Sequence, residues 1–337
     1  MKKRILSVLA VLTALLCVLP VAALASDGPV AATITRGGVQ TPYETLQEAL
    51  DAARDGDVIQ LAAGELGAGA LRQTEKSSNS AESGPMHLHR SLTDVTIRGA
   101  EGSEKTVIDG LDIATGHIYG EGTHPVNGEP LNGTANSYYS YWEISNLTLE
   151  NIHFTKSVYI GADSAPFCEI DGFTIRNCSY TGNDSSVNNL RNKLLHVGNT
   201  TNPLKNFVIE NCAVQTAFQG VYVQAVDGIT VRESSFDGLG HNAIAVQDGS
   251  LGGTLCPSKG QIVIENNDIA NGNDRAIRFG HIGEGSVVTI SGNSFTDVED
   301  DGGELIKAGG LAAGAAVSVQ GNTWTVGGEA KSEEEIF

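Results

Sequence analysis

The chain has 337 residues, 40 acidic against 21 basic, for a formal net charge of −19. A surface of that sign repels nucleic acid and anionic membranes, so neither is expected as a partner. Five cysteines are too few for a disulfide scaffold, and the length suffices for one large core with no visible linker dividing it.

Residues 1–25 read as a cleaved secretory signal. Lys2, Lys3 and Arg4 precede an apolar run over residues 5–19, and Ala23 and Ala25 are the small residues before the cut. The run is short for a membrane span, and no later stretch is long and apolar enough for one. Cleavage removes three basic residues, which takes the net charge from −19 to −22. The mature chain is then expected outside the cell or at its surface.

Residues 26–57 read as a strand followed by a capping helix. In "TPYETLQEALDAARDGDVIQL", Thr41 is the expected N-cap, Pro42 the first helical residue and Glu44 the partner in a capping box. The helix is expected over residues 43–53, with Leu46, Ala49, Leu50 and Ala53 on one face and Gly56 ending it.

Two stretches follow that carry chemistry. In "MHLHR", His87 and His89 share a face if the segment is a strand, and such a pair can hold a transition metal. No third ligand stands at a telling spacing. His117 and His124 lie in a glycine-rich insertion over residues 112–137 and read as solvated. In "SYYSYW", Tyr138, Tyr139, Tyr141 and Trp142 either stack on sugar faces or, through strand alternation, enter the core.

From residue 58 to residue 324 the chain repeats itself. "NLTLENIHF", "GFTIRNCSY", "NFVIENCAV", "GITVRESSF", "QIVIENNDI", "VVTISGNSF" and "AVSVQGNTW" align, and "DVTIRGAEG" is an earlier copy. Their central apolar residues are Leu149, Ile175, Ile209, Val231, Ile264, Ile290 and Val319, separated by 26, 34, 22, 33, 26 and 29 residues. Periods of this size mean a solenoid, and the period-two alternation within each copy means strands. A bulky column (Phe154, Tyr180, Val214, Phe236, Ile269, Phe295, Trp324) recurs beside a small or amide column (Ile152, Cys178, Cys212, Ser234, Asn267, Asn293, Asn322). Stacked amides can hydrogen-bond from rung to rung. A second strand recurs as "NKLLHV", "FQGVYV", "HNAIAV", "DRAIRF" and "GELIKA". The fold expected is all-β: a right-handed parallel β-helix with an N-terminal capping helix. An acidic tail over residues 325–337 closes it, with Ser332 and Glu335 spaced as a capping box.

Residues 43–61, with an amphipathic helix, Ala-x-Asp-Gly-Asp and a following strand, look like the opening of the pectate-lyase-like β-helix superfamily. The Ile-x-Asn-Cys/Asn rungs resemble its right-handed repeat. The resemblance covers most of the mature chain and implies a fold. It does not imply one activity, because the superfamily includes lyases, hydrolases, epimerases and non-catalytic adhesins.

The second strand places His196, Tyr222, Ala245, Arg278 and Lys307 in one outward column, on rungs about 4.8 Å apart. Gln224 and Gln247 lie two residues further along that face, and His241 and Asp274 precede it. A lyase acting on a uronate needs a base, a carboxylate anchor and an acid for the leaving oxygen. His196, Tyr222 or Lys307 can supply the base, and Arg278 can grip the carboxylate bidentately. No carboxylate is read in the column, which counts against a hydrolase with its two carboxylates. The same column also reads as solenoid surface without a role.

Asp297, Asp300 and Asp301 stand in the strongest acidic cluster, a Ca²⁺ candidate or a solvated turn. Cys178 and Cys212 fall in one column of consecutive rungs, close enough for a disulfide. Three functions remain in view: binding of a polysaccharide or glycan, elimination on a uronate polymer by the His/Tyr/Arg/Lys column, and a purely structural surface role.

Overall fold

The computed structural model describes residues 29–71, 75–76, 87–102, 104–113, 122–123, 130–131, 139–161, 168–198, 204–251, 254–298, 304–332 and 335. Residues 1–25, read from the sequence as a secretory signal, and His117, His124, Tyr138, Asp300 and Asp301 lie outside them. Among the described residues no helix is long and apolar enough to cross a membrane.

Each repeat becomes one rung of a solenoid built from mostly parallel sheets. The rung of residues 204–224 shows the pattern, with Leu204–Glu210 in the first sheet, Ala213–Gln215 in the second and Val221–Gln224 in the third. The chain then steps to Val226–Arg232, which pairs in parallel with Leu204–Glu210. The apolar residues of each copy cannot be covered within their own rung, so the next rung covers them. Leu149, Ile175, Ile209, Val231, Ile264, Ile290 and Val319 pair in unbroken register, as the repeat predicts. All are buried except Val319 in the last rung, which is partly covered. Ile59 and Ile97 extend the column, so "DVTIRGAEG" is a true copy.

The bend between the first and second sheets has a two-residue design. The first residue is left-handed, with φ of 53° at Asn177, 49° at Asn211, 51° at Glu233 and 54° at Asn266. Asparagine tolerates that region better than most side chains, which accounts for its recurrence there. The second residue belongs to the amide column and points inward. Asn293 Nδ2 donates to the Ile264 carbonyl at 3.0 Å and to Asn322 Oδ1 at 2.9 Å. Its Oδ1 accepts from the Asn267 backbone N–H at 3.0 Å and from Asn267 Nδ2 at 2.9 Å.

The ladder continues through Ser234 into Cys212 and Cys178. The Cys212 thiol donates to the Ile175 carbonyl at 3.6 Å, and the Cys178 thiol to the Leu149 carbonyl at 3.6 Å. These are the places of the asparagine amides in later rungs. The cystine expected between Cys178 and Cys212 is therefore corrected to two buried free thiols. Each sulfur points at a carbonyl of the preceding rung, not at its neighbour.

The N-terminal helix, α1, spans Leu46–Ala52, within the expected 43–53. Its N-cap is Thr45 and its capping box is completed by Glu48, not Thr41 and Glu44. Val39–Tyr43 is instead an extended edge strand that pairs antiparallel with Ala32–Arg36. Pro42, which has no N–H to give, is suited to an edge strand. Leu46, Ala49 and Leu50 are buried, and Leu46 and Leu50 press on Gly69, in the first strand of the third sheet. The end of α1 holds a buried guanidinium: Arg90 Nη2 donates to the Leu50 carbonyl at 2.8 Å and to the Ala53 carbonyl at 3.1 Å. A cation there satisfies last-turn carbonyls and opposes the helix dipole. Leu50→Asp should destabilise the protein by about 3–5 kcal/mol, since it buries a carboxylate among apolar groups. Thermal melting of that variant measures it, and an unchanged Tm would show that α1 does not close the core.

Tyr139–Glu150, at 12 residues, is longer than the first-sheet strands that follow it, and it pairs in parallel with His87–Thr93 and Cys168–Arg176. Alternation sends Trp142 inward, where it is 0 % exposed. Trp142 is thus core, which corrects its candidacy as a sugar platform. Tyr139 pairs with His87 and Tyr141 with His89 in the strand register.

Candidate functional site

The outward face of the first sheet neutralises itself. Arg98, Glu150, Arg176, Glu210, Arg232 and Glu265 alternate in register along it. Glu150 pairs with Arg98 and Arg176, and Glu210 with Arg232. A shelf of about 500 Å³ beside this ladder is lined by Glu143, Glu169, Asp171 and Lys205. Three carboxylates to one amine make it a poor seat for an anion.

The third sheet differs. Its outward column runs in register from Asp112 through Tyr159, His196, Tyr222, Ala245 and Arg278 to Lys307. Two members escaped the sequence reading. Tyr159 and Asp112 sit in the triplets "VYI" and "LDI", whose apolar-x-apolar pattern was the available signal. The expectation of a column without carboxylates is corrected accordingly: Asp112 stands at its head, with Asp274 and Glu304 beside it. Asp112 is engaged by the Arg191 guanidinium, which also lies 4.7 Å from the centre of the Tyr159 ring.

A groove of about 370 Å³ opens on this face. Its floor and ends are His196, Tyr222, Ala245, Gln247 and Arg278, and its flank is Lys193, Phe218, Gln219, His241 and Asn242. One wall is the loop that leads into the His196 strand, carrying Asn188 and Leu190. Asn192 pins that loop by donating to the Asp184 carbonyl at 2.7 Å and the Val187 carbonyl at 2.9 Å. Gly240 lets it lie close, because a Cβ there would collide with the Ser185 carbonyl.

Rings stack along the floor. The centres of Tyr159 and His196 are 5.2 Å apart and those of His196 and Tyr222 are 5.0 Å apart. His196 is 6 % exposed, and burial beside Lys193 and Arg191 pushes its pKa down to about 3. It therefore stays neutral across the physiological range. Burial raises the Tyr222 hydroxyl above its usual pKa, so it keeps its proton near neutral pH. Lys193 is 3 % exposed, donates to the Asn189 carbonyl at 2.8 Å, and is lowered by burial to a pKa of about 8. Among the described residues no carboxylate pairs with it, and beyond the Asn189 carbonyl the amine faces the rings of Phe218 and Tyr222, 5.5 and 5.8 Å away.

Lys193 has a measurable consequence. Its folded pKa lies below the unfolded value, so the native state resists protonation more than the unfolded chain does. Wild-type stability relative to Lys193→Met should therefore rise as pH increases through about 8 and level off above ~10.4. Urea unfolding of both proteins from pH 7 to pH 11 reads this directly (a pH range set by those values). A pH-independent difference would show that the amine is not desolvated.

The remaining candidates fall in different places. Arg278 is exposed at the end of the groove and forms no ion pair among the described residues. Lys307 is outside the groove, paired with Glu304 at 3.3 Å. Gln247 lines the groove and donates to the Arg278 carbonyl at 3.2 Å, whereas Gln224 lies outside it and donates to the Asp248 carbonyl at 3.3 Å. His241 Nε2 is 3.0 Å from Asp274 Oδ2. Asp297 is a left-handed turn residue, and its Oδ1 accepts the Gly327 N–H at 2.7 Å. Among the described residues no cluster of three or more acidic, histidine or cysteine side chains is arranged to hold a metal ion.

Fold and groove together define the class: a parallel β-solenoid with a ligand-sized cleft on one stacked sheet. Compared with known proteins, the chain matches no family model, no curated protein and no solved structure.

Proposed function

We propose that the groove on the third sheet binds an acidic polysaccharide or glycan, on a secreted protein of the right-handed, pectate-lyase-like β-helix kind. The observation that carries this reading is Arg278: a guanidinium with no ion pair among the described residues, at the end of a ring-floored groove, whereas Arg98, Arg176 and Arg232 of the first sheet are each paired with a glutamate. Tyrosine faces suit the apolar faces of sugar rings, and a free guanidinium suits a carboxylate. The groove meets a chain lying across several rungs, which fits an extended polymer. The basic start and apolar run of residues 1–25 support export.

A second reading is elimination on the bound uronate. Proton-transfer groups favour it: Tyr222, His241 and Lys193 all line the same groove as the carboxylate anchor. Ca²⁺ at Asp297 has no support from that residue's contacts, since its carboxylate is spent on a turn.

Incubation with a panel of uronate polysaccharides tests both readings. Calorimetry detects binding, and ultraviolet absorbance of unsaturated products detects elimination. Binding without absorbance leaves a glycan-binding module; no binding across the panel contradicts the proposal.

A further inference from the structure

We infer that His241 is the proton acceptor of this groove and that Asp274 sets its tautomer. The inference rests on the elimination reading and assigns its chemistry to particular atoms. His241 Nε2 is 3.0 Å from Asp274 Oδ2, and a carboxylate only accepts, so Nε2 carries the proton. The lone pair is then on Nδ1, which faces Gln219 Nε2, donating at 3.4 Å. That long contact is easily displaced by a ligand. The ring plane is held by Phe218, stacked at 5.1 Å and 24°. Asp274 is itself fixed: Asn242 Nδ2 donates to its Oδ2 at 3.1 Å, and Arg275 stands 3.8 Å from its Oδ1. This is a base, an orienting carboxylate and a supporting shell.

The other bases considered from the sequence are worse placed. Among the described residues, His196 Nδ1 is buried with no hydrogen-bond partner and no carboxylate is paired with the ring. Lys307 is outside the groove and paired with Glu304.

Arg278 links the pieces. It lines the same groove as the Tyr222 hydroxyl and the His241 ring, so a carboxylate held by Arg278 is seated beside both. The charged groups acting on His241 are Asp274, Arg275 and Arg278. Burial keeps the imidazole neutral, the form a base needs.

The step balances without a co-reactant. The bond from hydrogen to the carbon α to the carboxylate breaks, and the proton goes to His241 Nδ1. The electron pair forms the new carbon–carbon double bond, and the bond from the β-carbon to the glycosidic oxygen breaks. That oxygen takes the Tyr222 hydroxyl proton, and solvent then returns both side chains to their starting forms.

The test uses the full mature chain, with oligogalacturonate and oligomannuronate as probes. His241→Gln should lower the rate of unsaturated-product formation about 10²–10⁴-fold, with KM changed little. Asp274→Asn should move the acid limb of the pH–rate profile to lower pH, because the carboxylate no longer stabilises the imidazolium. A merely structural role for Asp274 does not move that limb. Imidazole ¹⁵N NMR gives a readout apart from turnover: His241 should be protonated at Nε2 in the wild type, and this preference should weaken in Asp274→Asn. Undiminished turnover in His241→Gln, or an Nδ1-protonated ring, overturns the assignment. Bound oligouronate without any unsaturated product overturns the elimination reading beneath it, and absent binding overturns the groove itself.

Discussion

Arg278→Ala is expected to weaken oligouronate binding by about 10- to 100-fold, the equivalent of one charge-assisted contact worth ~1.5–3 kcal/mol. Arg278 is exposed and unpaired among the described residues, so its loss leaves no buried charge behind and Tm should barely move. Lys307→Ala is the control. That amine is adjacent to Arg278 in the strand register yet lies outside the groove and is occupied by Glu304, so its loss should change affinity less than about threefold. Calorimetric titration of both variants reads the contrast. Equal losses would move the anion site off the groove end and onto the column as a whole.

A large effect on the fold is also expected at Asn293. Its side chain gives and receives four hydrogen bonds in a buried ladder, at 1 % exposure. Asn293→Ala leaves the Asn267 N–H, the Ile264 carbonyl and Asn322 Oδ1 each short of a partner. Stranded buried groups cost about 1–3 kcal/mol each before relaxation, so a loss of roughly 3–5 kcal/mol is expected. Asn293→Ser should cost less, because Ser234 already serves in this column by accepting the Cys212 N–H at 3.1 Å. Chemical denaturation at equilibrium measures both variants. If alanine and serine prove equally mild, the ladder is not a source of stability.

The rung pattern was legible because its physics is local. Alternating apolar residues, a left-handed bend residue (Asn151, Asn177, Asn211 and Asn266, with Glu233, Gly292 and Gly321 in the other copies) and an inward small or amide residue recur, and each has one structural use. Helix placement was less legible. Thr41-Pro42 and Thr45-Leu46 both satisfy capping rules, and only the pairing of Val39–Tyr43 with Ala32–Arg36 decides between them. Cys178 and Cys212 were correctly put in one column, but adjacency does not specify whether two sulfurs face each other or a carbonyl.

The groove was half legible. Register alone placed His196, Tyr222 and Arg278 together. It hid Lys193, three residues before His196, because a lysine next to the apolar pair of its strand reads as surface. Its burial comes partly from the 182–192 loop just before it and partly from Phe218 and Tyr222 of the next rung, and that second contribution leaves no mark in the local sequence. The His241–Asp274 contact bridges two rungs 33 residues apart in sequence, a spacing set by loop length and not by the repeat.

Hydrogen exchange of the mature protein with and without saturating oligouronate tests the central claim most directly. Protection should appear in the third-sheet strands Leu195–Val197, Val221–Gln224, Ile244–Gln247 and Ile277–Ile282, and in the 182–192 loop that walls the groove. Protection confined to the first-sheet strands Tyr139–Glu150 and Cys168–Arg176 would contradict it, because the ligand would then be seated on the acidic shelf.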